Sequence, residues 1–158
     1  MAVTSDIVES WRSPRVTFRR HLARGVSEPF AFTLLLVFLL LAFIGQWPQA
    51  SREAFLAQDT ATAPRLLARG LAVLATIPLW YALAAISRLV ARAFGGHGTG
   101  YRARLALFWA LATVGPLMLL QGLVAGMIGP GPALWAVNIV VGLAFLWLWI
   151  LMLIEAER

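Results

Sequence analysis

Two side-chain amides, those of Gln121 and Asn138, lie within long apolar stretches of the sequence. Gln121 is nine residues before Pro130 and Asn138 is eight residues after it, so an antiparallel helical hairpin that turns at Pro130 places them at nearly the same depth. An amide in apolar surroundings is costly without a hydrogen-bond partner. We therefore expect the two amides to form an interhelical polar pair, or to bond to nearby backbone. Such a pair either joins two helices or lines a groove for a polar ligand.

Arginines on both sides of a glycine-rich turn form a second candidate site. The turn has the sequence GGHGTG at residues 95–100, and it is flanked by Arg88, Arg92, Arg102 and Arg104. Free N–H groups at a helix start attract anions, and arginines add to that attraction. We predict that these four arginines bind an anionic lipid headgroup; the alternative is that they only mark a cytoplasmic loop. The turn lacks the Gly-Lys-Ser/Thr ending of a nucleotide-binding loop.

No combination of residues predicts an enzyme. His21 and His97 are isolated, the chain has no Cys, and paired carboxylates and nucleophile motifs are absent. General acid–base or nucleophilic catalysis needs such groups close together. We therefore expect no catalytic activity, no cofactor and no metal site.

The elements that position these residues are membrane-spanning helices. The chain is 61% hydrophobic and 13% charged, and its apolar residues form runs long enough to cross a hydrocarbon core of ~30 Å. We predict an all-α membrane protein with four transmembrane helices in a bundle, which together form one membrane domain over residues 29–158. The spans are expected at about residues 30–47, 68–93, 103–127 and 133–154.

Residues 1–28 differ from the membrane domain because they are basic and amphipathic. Thr4 or Ser5 is expected to begin one short helix, and Ser13-Pro14 is expected to begin a second that ends near Arg24. The predicted apolar patch consists of Ile7, Val8, Trp11, Val16 (or Phe18) and Leu22. This pattern favours an interfacial helical segment on an anionic membrane surface; the alternative is a solvated topology signal.

Arginine placement predicts the orientation of the spans. All 13 basic residues are arginines, and the net charge is +6. With four spans and an internal N-terminus, ten arginines lie inside and only Arg52, Arg65 and Arg69 lie outside. Arginines accumulate on cytoplasmic loops, so we predict that both termini are cytoplasmic. This reading assigns the positive charge to a bacterial inner membrane and not to a nucleic-acid partner.

Small residues and prolines indicate how the spans pack. Gly115, Gly122 and Gly126 lie near one face of the third span, and Gly142 lies one turn beyond Asn138 on the fourth. Small residues let helices approach closely, so these four are predicted packing positions, either within the chain or in a homodimer. Pro78 and Pro116 are expected to kink their helices, as packing features or as hinges.

The sequence over residues 94–132 resembles the bacterial branch of the Yip family, which are integral-membrane relatives of the Ypt/Rab-interacting proteins. The resemblance is carried by FGGHGTGYRARLALFWA at 94–110, GPL at 115–117, QGLVAG at 121–126 and GPGP at 129–132. It implies a helical, multi-span, non-enzymatic protein of the bacterial inner membrane. Eukaryotic members have a longer soluble N-terminus, five spans and a role in vesicle traffic, and this chain departs from the first two features. No family binding residue carries over to a position here.

Two hypotheses for function follow. The first is a non-catalytic scaffold or accessory protein that interacts with membrane lipids, with partner membrane proteins or with further copies of itself. The second is a small lipid- or solute-transport protein with a polar interhelical groove. The only residues that could line such a groove are Gln121, Asn138, Thr76, Thr113 and Ser87.

Overall fold

The computed structural model describes residues 3–57 and 62–158, and the regular secondary structure of these residues is entirely helical. In chain order they form α1 (Val3–Arg12), α2 (Pro14–Ala23), α3 (Glu28–Gly45), α4 (Trp47–Leu56), α5 (Thr62–Ala75), α6 (Ile77–Ala93), α7 (Gly100–Met127) and α8 (Pro132–Ala156). Four stretches are long and apolar enough to cross a membrane: Glu28–Leu56, Ala63–Ala93, Gly100–Met127 and Pro132–Ala156. The predicted all-α fold with four spans is therefore confirmed, and each stretch extends beyond the span expected from the sequence.

Helix α7 is the central helix of the bundle. It contacts α1, α2, α3, α4, α6 and α8, and nearly every side chain between Tyr101 and Gly115 is buried. Trp109 and Phe108 are the largest of the fully buried side chains in this stretch. A helix that is apolar on all sides is suited to such a position because no face of it requires solvent.

Two of the spans are interrupted where a proline enters the helix. The first is broken at Gln46, between α3 and α4, just before Trp47-Pro48. The second is broken at Thr76, between α5 and α6, just before Ile77-Pro78. Proline lacks an N–H group and collides with the preceding turn, so the new helix begins beside it. The expected irregularity at Pro78 is present, whereas α7 continues without a break through Pro116.

Glycines allow the first and third spans to touch through their backbones. A Cβ atom built on Gly122 would overlap the carbonyl of Gly45, and one on Gly126 would overlap Pro48. A Cβ on Gly115 would lie 2.7 Å from a methyl carbon of Leu41. These three glycines occupy the predicted packing face. Gly142 does not, because a Cβ there would meet no atom of the chain within 4 Å, and its role in packing against a second copy stays a prediction.

The short connection between α7 and α8 is held by an arginine from the first span. Gly129 has a φ of +89°, a left-handed conformation that glycine adopts without strain. Arg52 donates hydrogen bonds to the carbonyls of Gly126 and Met127, both at 3.3 Å. The side chain thereby satisfies carbonyls that the end of α7 leaves free, and its charge suits a helix C-terminus.

The N-terminal helices pack against the bundle with a face that differs from the predicted patch. Phe18 is fully buried, but Val8 and Val16 are exposed. The buried positions also include polar residues: Asp6, Ser10, Thr17 and His21. Ile7, Trp11 and Leu22 of the predicted patch pack against the bundle, whereas Val8 and Val16 remain exposed. Contact of this segment with a membrane surface stays a prediction.

Candidate functional site

The amides of Gln121 and Asn138 meet across the α7–α8 hairpin. Gln121 Nε2 donates a hydrogen bond to Asn138 Oδ1 at 2.7 Å, as their matched depth predicted. Both residues line a cavity of about 250 Å³ whose other polar side chains are Gln46 and Gln49. We call this cavity the amide cavity. The sequence did not indicate Gln46 and Gln49, since they belong to the break between α3 and α4 and no periodic pattern relates that break to the hairpin.

The other polar residues expected in a groove are elsewhere and are occupied by their own helices. Thr113 donates to the carbonyl of Trp109 at 2.8 Å, and Ser87 donates to that of Ala84 at 2.9 Å. Thr76 donates to the carbonyl of Val73 and accepts a bond from Trp80 Nε1. None of the three lines the amide cavity, so the structure does not bring all five candidate residues to one groove.

Ten arginines cluster at the end of the bundle where α7 begins and α8 ends. We call this end the arginine-rich end; its members are Arg12, Arg15, Arg19, Arg20, Arg24, Arg88, Arg92, Arg102, Arg104 and Arg158. The carboxylates there are fewer: Asp6, Glu9, Glu28, Glu155 and Glu157. Ion pairs tie the elements together, among them Arg19 with Glu155 and Arg104 with Glu28. The end therefore keeps a net positive charge after these pairs form.

The glycine-rich turn holds a carboxylate of the chain itself. The Gly98 N–H donates to Glu157 Oε2 at 2.9 Å, and the His97 N–H donates to the Glu157 carbonyl at 3.1 Å. The Thr99 side chain accepts from the Arg102 N–H at 3.3 Å and so caps the start of α7. The N–H groups of His97, Gly98 and Arg102 are thus already engaged within the chain.

The four arginines of the predicted headgroup site fall into two pairs. Arg88 donates to the Gly98 carbonyl, and Arg104 pairs with Glu28. The guanidinium groups of Arg92 and Arg102 have no hydrogen-bond or ion-pair partner within residues 3–57 and 62–158, and the same is true of Arg12. Arg12, Arg92 and Arg102 therefore have charge left for an external anion, as does Arg15, which also has no hydrogen bond or ion pair within the described residues.

A polar cluster that the sequence did not reveal lies beneath the N-terminal helices. Trp109 Nε1 donates to Ser10 Oγ at 3.0 Å, and Ser10 donates in turn to the Asp6 carbonyl at 2.8 Å. The His21 ring lies against Trp109, with ring centroids 4.0 Å apart, and its Nε2 is 3.6 Å from Asp6 Oδ2. Contacts between helices so distant in sequence leave no local pattern that could have identified them.

Burial sets the protonation state of His21. It lowers the pKa of the imidazole to about 4, with Arg24 and Arg20 acting in the same direction and Asp6 opposing them. His21 is therefore neutral near pH 7 and packs as an aromatic ring between Trp109 and Phe30.

The centres of the spans contain no side chain of Asp, Glu, Arg or His in the part of the chain that the structure describes. Proton- and ion-coupled transport normally requires such a group. The same part of the chain contains no cluster of three or more potential metal ligands.

Comparison with known proteins identifies the family. No curated protein and no solved structure matches the chain. The model of the Yip1 domain family matches residues 8–156. This range begins within α1 and includes all of the helices from α2 to α8. This protein, a four-span helical bundle with glycine contacts between its first and third spans, belongs to the Yip1 domain family.

Proposed function

We propose that this protein is a non-catalytic accessory protein of a bacterial inner membrane, with its arginine-rich end in the cytoplasm. There it binds anionic lipid headgroups and presents a basic surface to partner membrane proteins. The observation that carries the proposal is the charge of this end, where Arg12, Arg92 and Arg102 remain without internal partners. The Yip1 family is not known as a family of enzymes, which agrees with this role.

The orientation is supported by the distribution of arginines. Ten lie at the arginine-rich end, and Arg52, Arg65 and Arg69 lie toward the other end. Arginines on short loops are retained on the cytoplasmic side. Anionic lipids of that leaflet attract basic residues near the membrane surface by about 1 kcal/mol each.

A second candidate function, transport of a lipid or small solute, is favoured only by the amide cavity. The cavity is lined by residues of the α3–α4 break and of the α7–α8 hairpin, and none of the ten arginines lines it. Transport requires access to a site from both sides of the membrane in turn. Because the amide cavity lies at one end of the bundle, it is better suited to binding a ligand than to moving one across the membrane.

The proposal is tested by removing the two unpaired arginines beside the glycine-rich turn. We expect the double variant Arg92→Gln/Arg102→Gln to bind phosphatidic acid roughly 30-fold more weakly, since two interactions of about 1 kcal/mol each are lost. The measurement is a lipid titration of the purified protein followed by native mass spectrometry.

The matched control is Arg92→Lys/Arg102→Lys, which keeps both charges and should retain most of the binding. Unchanged affinity in the glutamine variant would contradict the assignment of these arginines to anionic lipid. Co-purification of the wild-type protein from native nanodiscs would then identify protein partners of the same end.

A further inference from the structure

We propose that the amide cavity binds the uncharged, hydroxyl-bearing terminal group of a lipid headgroup in the leaflet opposite the arginine-rich end. The proposal is independent of the function proposed above, because the two sites lie at opposite ends of the bundle and use different chemistry. It rests on the composition of the cavity, on the hydrogen-bonding groups left in it and on its depth.

The cavity wall is polar but uncharged. Four side-chain amides line it, from Gln46, Gln49, Gln121 and Asn138, and the remaining lining residues are small or apolar. Its volume of about 250 Å³ is enough for a group of a few heavy atoms, given that a water molecule takes about 30 Å³. A wall without charge does not compensate a buried ion, so it selects a neutral ligand.

The amides retain both acceptors and donors. The side-chain N–H groups of Gln46 and Gln49 donate to the Ala42 carbonyl at 3.4 Å and to Glu53 at 3.0 Å. Gln121 donates to Asn138, which leaves the Gln121 oxygen and the Asn138 NH₂ group available. Within the described residues, the side-chain oxygens of Gln46, Gln49 and Gln121 have no hydrogen-bond donor. A hydroxyl group suits this wall because it donates and accepts at once.

The depth of the cavity brings it within reach of a lipid headgroup at the edge of the hydrocarbon core. Gln121 is six residues from the end of α7 and Asn138 is six residues from the start of α8, each a rise of about 9 Å. The 25 residues of α8 span about 38 Å, which exceeds a hydrocarbon core of ~30 Å. The cavity therefore lies close to the boundary of the core. Trp47 and Trp135 are exposed at the same end, as is typical of residues at a membrane interface.

One arginine near the cavity, Arg52, has charge that suits the phosphate of the same lipid. Arg52 donates to carbonyls at the end of α7 and has no carboxylate partner within the described residues. Arg69 donates to the Gln46 carbonyl at 3.4 Å and is ion-paired with Glu53. Neither side chain lines the cavity. A phosphoglycerol lipid meets both conditions, since its terminal glycerol is neutral and rich in hydroxyls while its phosphate stays outside. A free polyol shares the hydroxyl chemistry but not the phosphate.

The test compares lipids that differ in the headgroup. Purified protein is titrated with phosphatidylglycerol, phosphatidic acid and phosphatidylcholine, and bound lipid is counted by native mass spectrometry. We expect the wild-type protein to prefer phosphatidylglycerol, and Gln121→Leu/Asn138→Leu to lose about tenfold in that affinity. Replacing both amides leaves no unpaired polar group, and Thr33→Val, which removes a polar group from an exposed position outside the cavity, is the matched control.

A second variant guards against misfolding of the first. Gln49 is exposed, so Gln49→Leu removes one acceptor without disturbing a helix contact, and a several-fold loss of phosphatidylglycerol binding is expected. Equal binding of the three lipids, or unchanged preference in both variants, would overturn the proposal. Binding of free glycerol without any lipid preference would show that the cavity binds a soluble polyol, and would contradict the proposal that its ligand is a lipid. Loss of phosphatidic acid binding in Arg92→Gln/Arg102→Gln reports on the arginine-rich end. It does not change the expected effect of the amide-cavity variants on phosphatidylglycerol binding.

Discussion

His21 shows how a single buried side chain couples this fold to pH. Its ring is almost fully buried and its pKa is lowered to about 4, compared with an ordinary value of 6.5. Between these two pH values the unfolded chain binds a proton that the folded chain excludes. The stability that the neutral ring provides is therefore complete above pH 6.5 and is lost as the pH falls toward 4.

We expect the free energy of unfolding to fall by up to about 1.4 kcal/mol per pH unit in this window because of His21 alone. His21→Phe keeps an aromatic ring against Trp109 and Phe30 and should flatten that part of the profile. Thermal melting in detergent, followed by tryptophan fluorescence at several pH values, measures the difference. A slope that is the same in both proteins would assign the pH dependence to other groups.

At the residue level, a contact could be predicted from the sequence where two residues lie at similar distances from one turn. Gln121 and Asn138 could be paired because a short turn fixes their relative depth once both flanking helices are recognised. Gln46, Asp6 and His21 could not be placed, since each depends on which helix packs against which. That choice is made by the shape of the whole bundle and not by local pattern.

The contact between the first and third spans is the tightest element-level feature of the bundle. Gly122 touches the backbone of Gly45, so neither side can yield by rotating a side chain. The presence of a packing face on the third span was predictable from its glycines. The partner was not, because small residues show that a helix is approached closely without showing by what.

Gly122→Ala tests this contact. The added methyl group must push the two helices apart, and we expect a loss of about 1 to 3 kcal/mol in the free energy of unfolding. Gly142→Ala is the matched control, since a Cβ there meets open space and should cost nothing. Denaturant titration in detergent compares the two. Equal stability of both variants would contradict backbone contact at Gly122.

The glycine-rich turn illustrates a different limit at the same scale. Its free N–H groups correctly indicate an affinity for anions, but the anion is Glu157, which is far from the turn in sequence. A local motif predicts which hydrogen-bonding groups a segment offers. It does not predict whether those groups bind a residue of the same chain or an external ligand.

For the whole molecule, the proposed orientation makes a direct prediction. The chain has no cysteine, so single cysteines report on their own surroundings. An impermeant maleimide applied to the periplasmic side should label Gly131→Cys, in the α7–α8 turn. It should label Ala23→Cys, at the end of α2, only after the membrane is disrupted. The reverse pattern would place the arginine-rich end outside and contradict the positive-inside assignment.

The number and order of the spans could be read from the chain, because apolar runs of sufficient length have few alternatives in a bilayer. The position of α7 at the centre could not. It follows from helix α7 being buried along its first half by segments that precede and follow it in sequence.

The hydrogen bond from Trp109 to Ser10 joins residues 99 positions apart. During synthesis the N-terminal helices emerge first, yet the surface on which they dock is completed only when α7 and α8 are inserted. Until then Phe18 and His21 have no buried site to occupy. The nascent chain therefore carries its two N-terminal helices undocked while the spans are inserted, and the docking of these first helices completes the assembly.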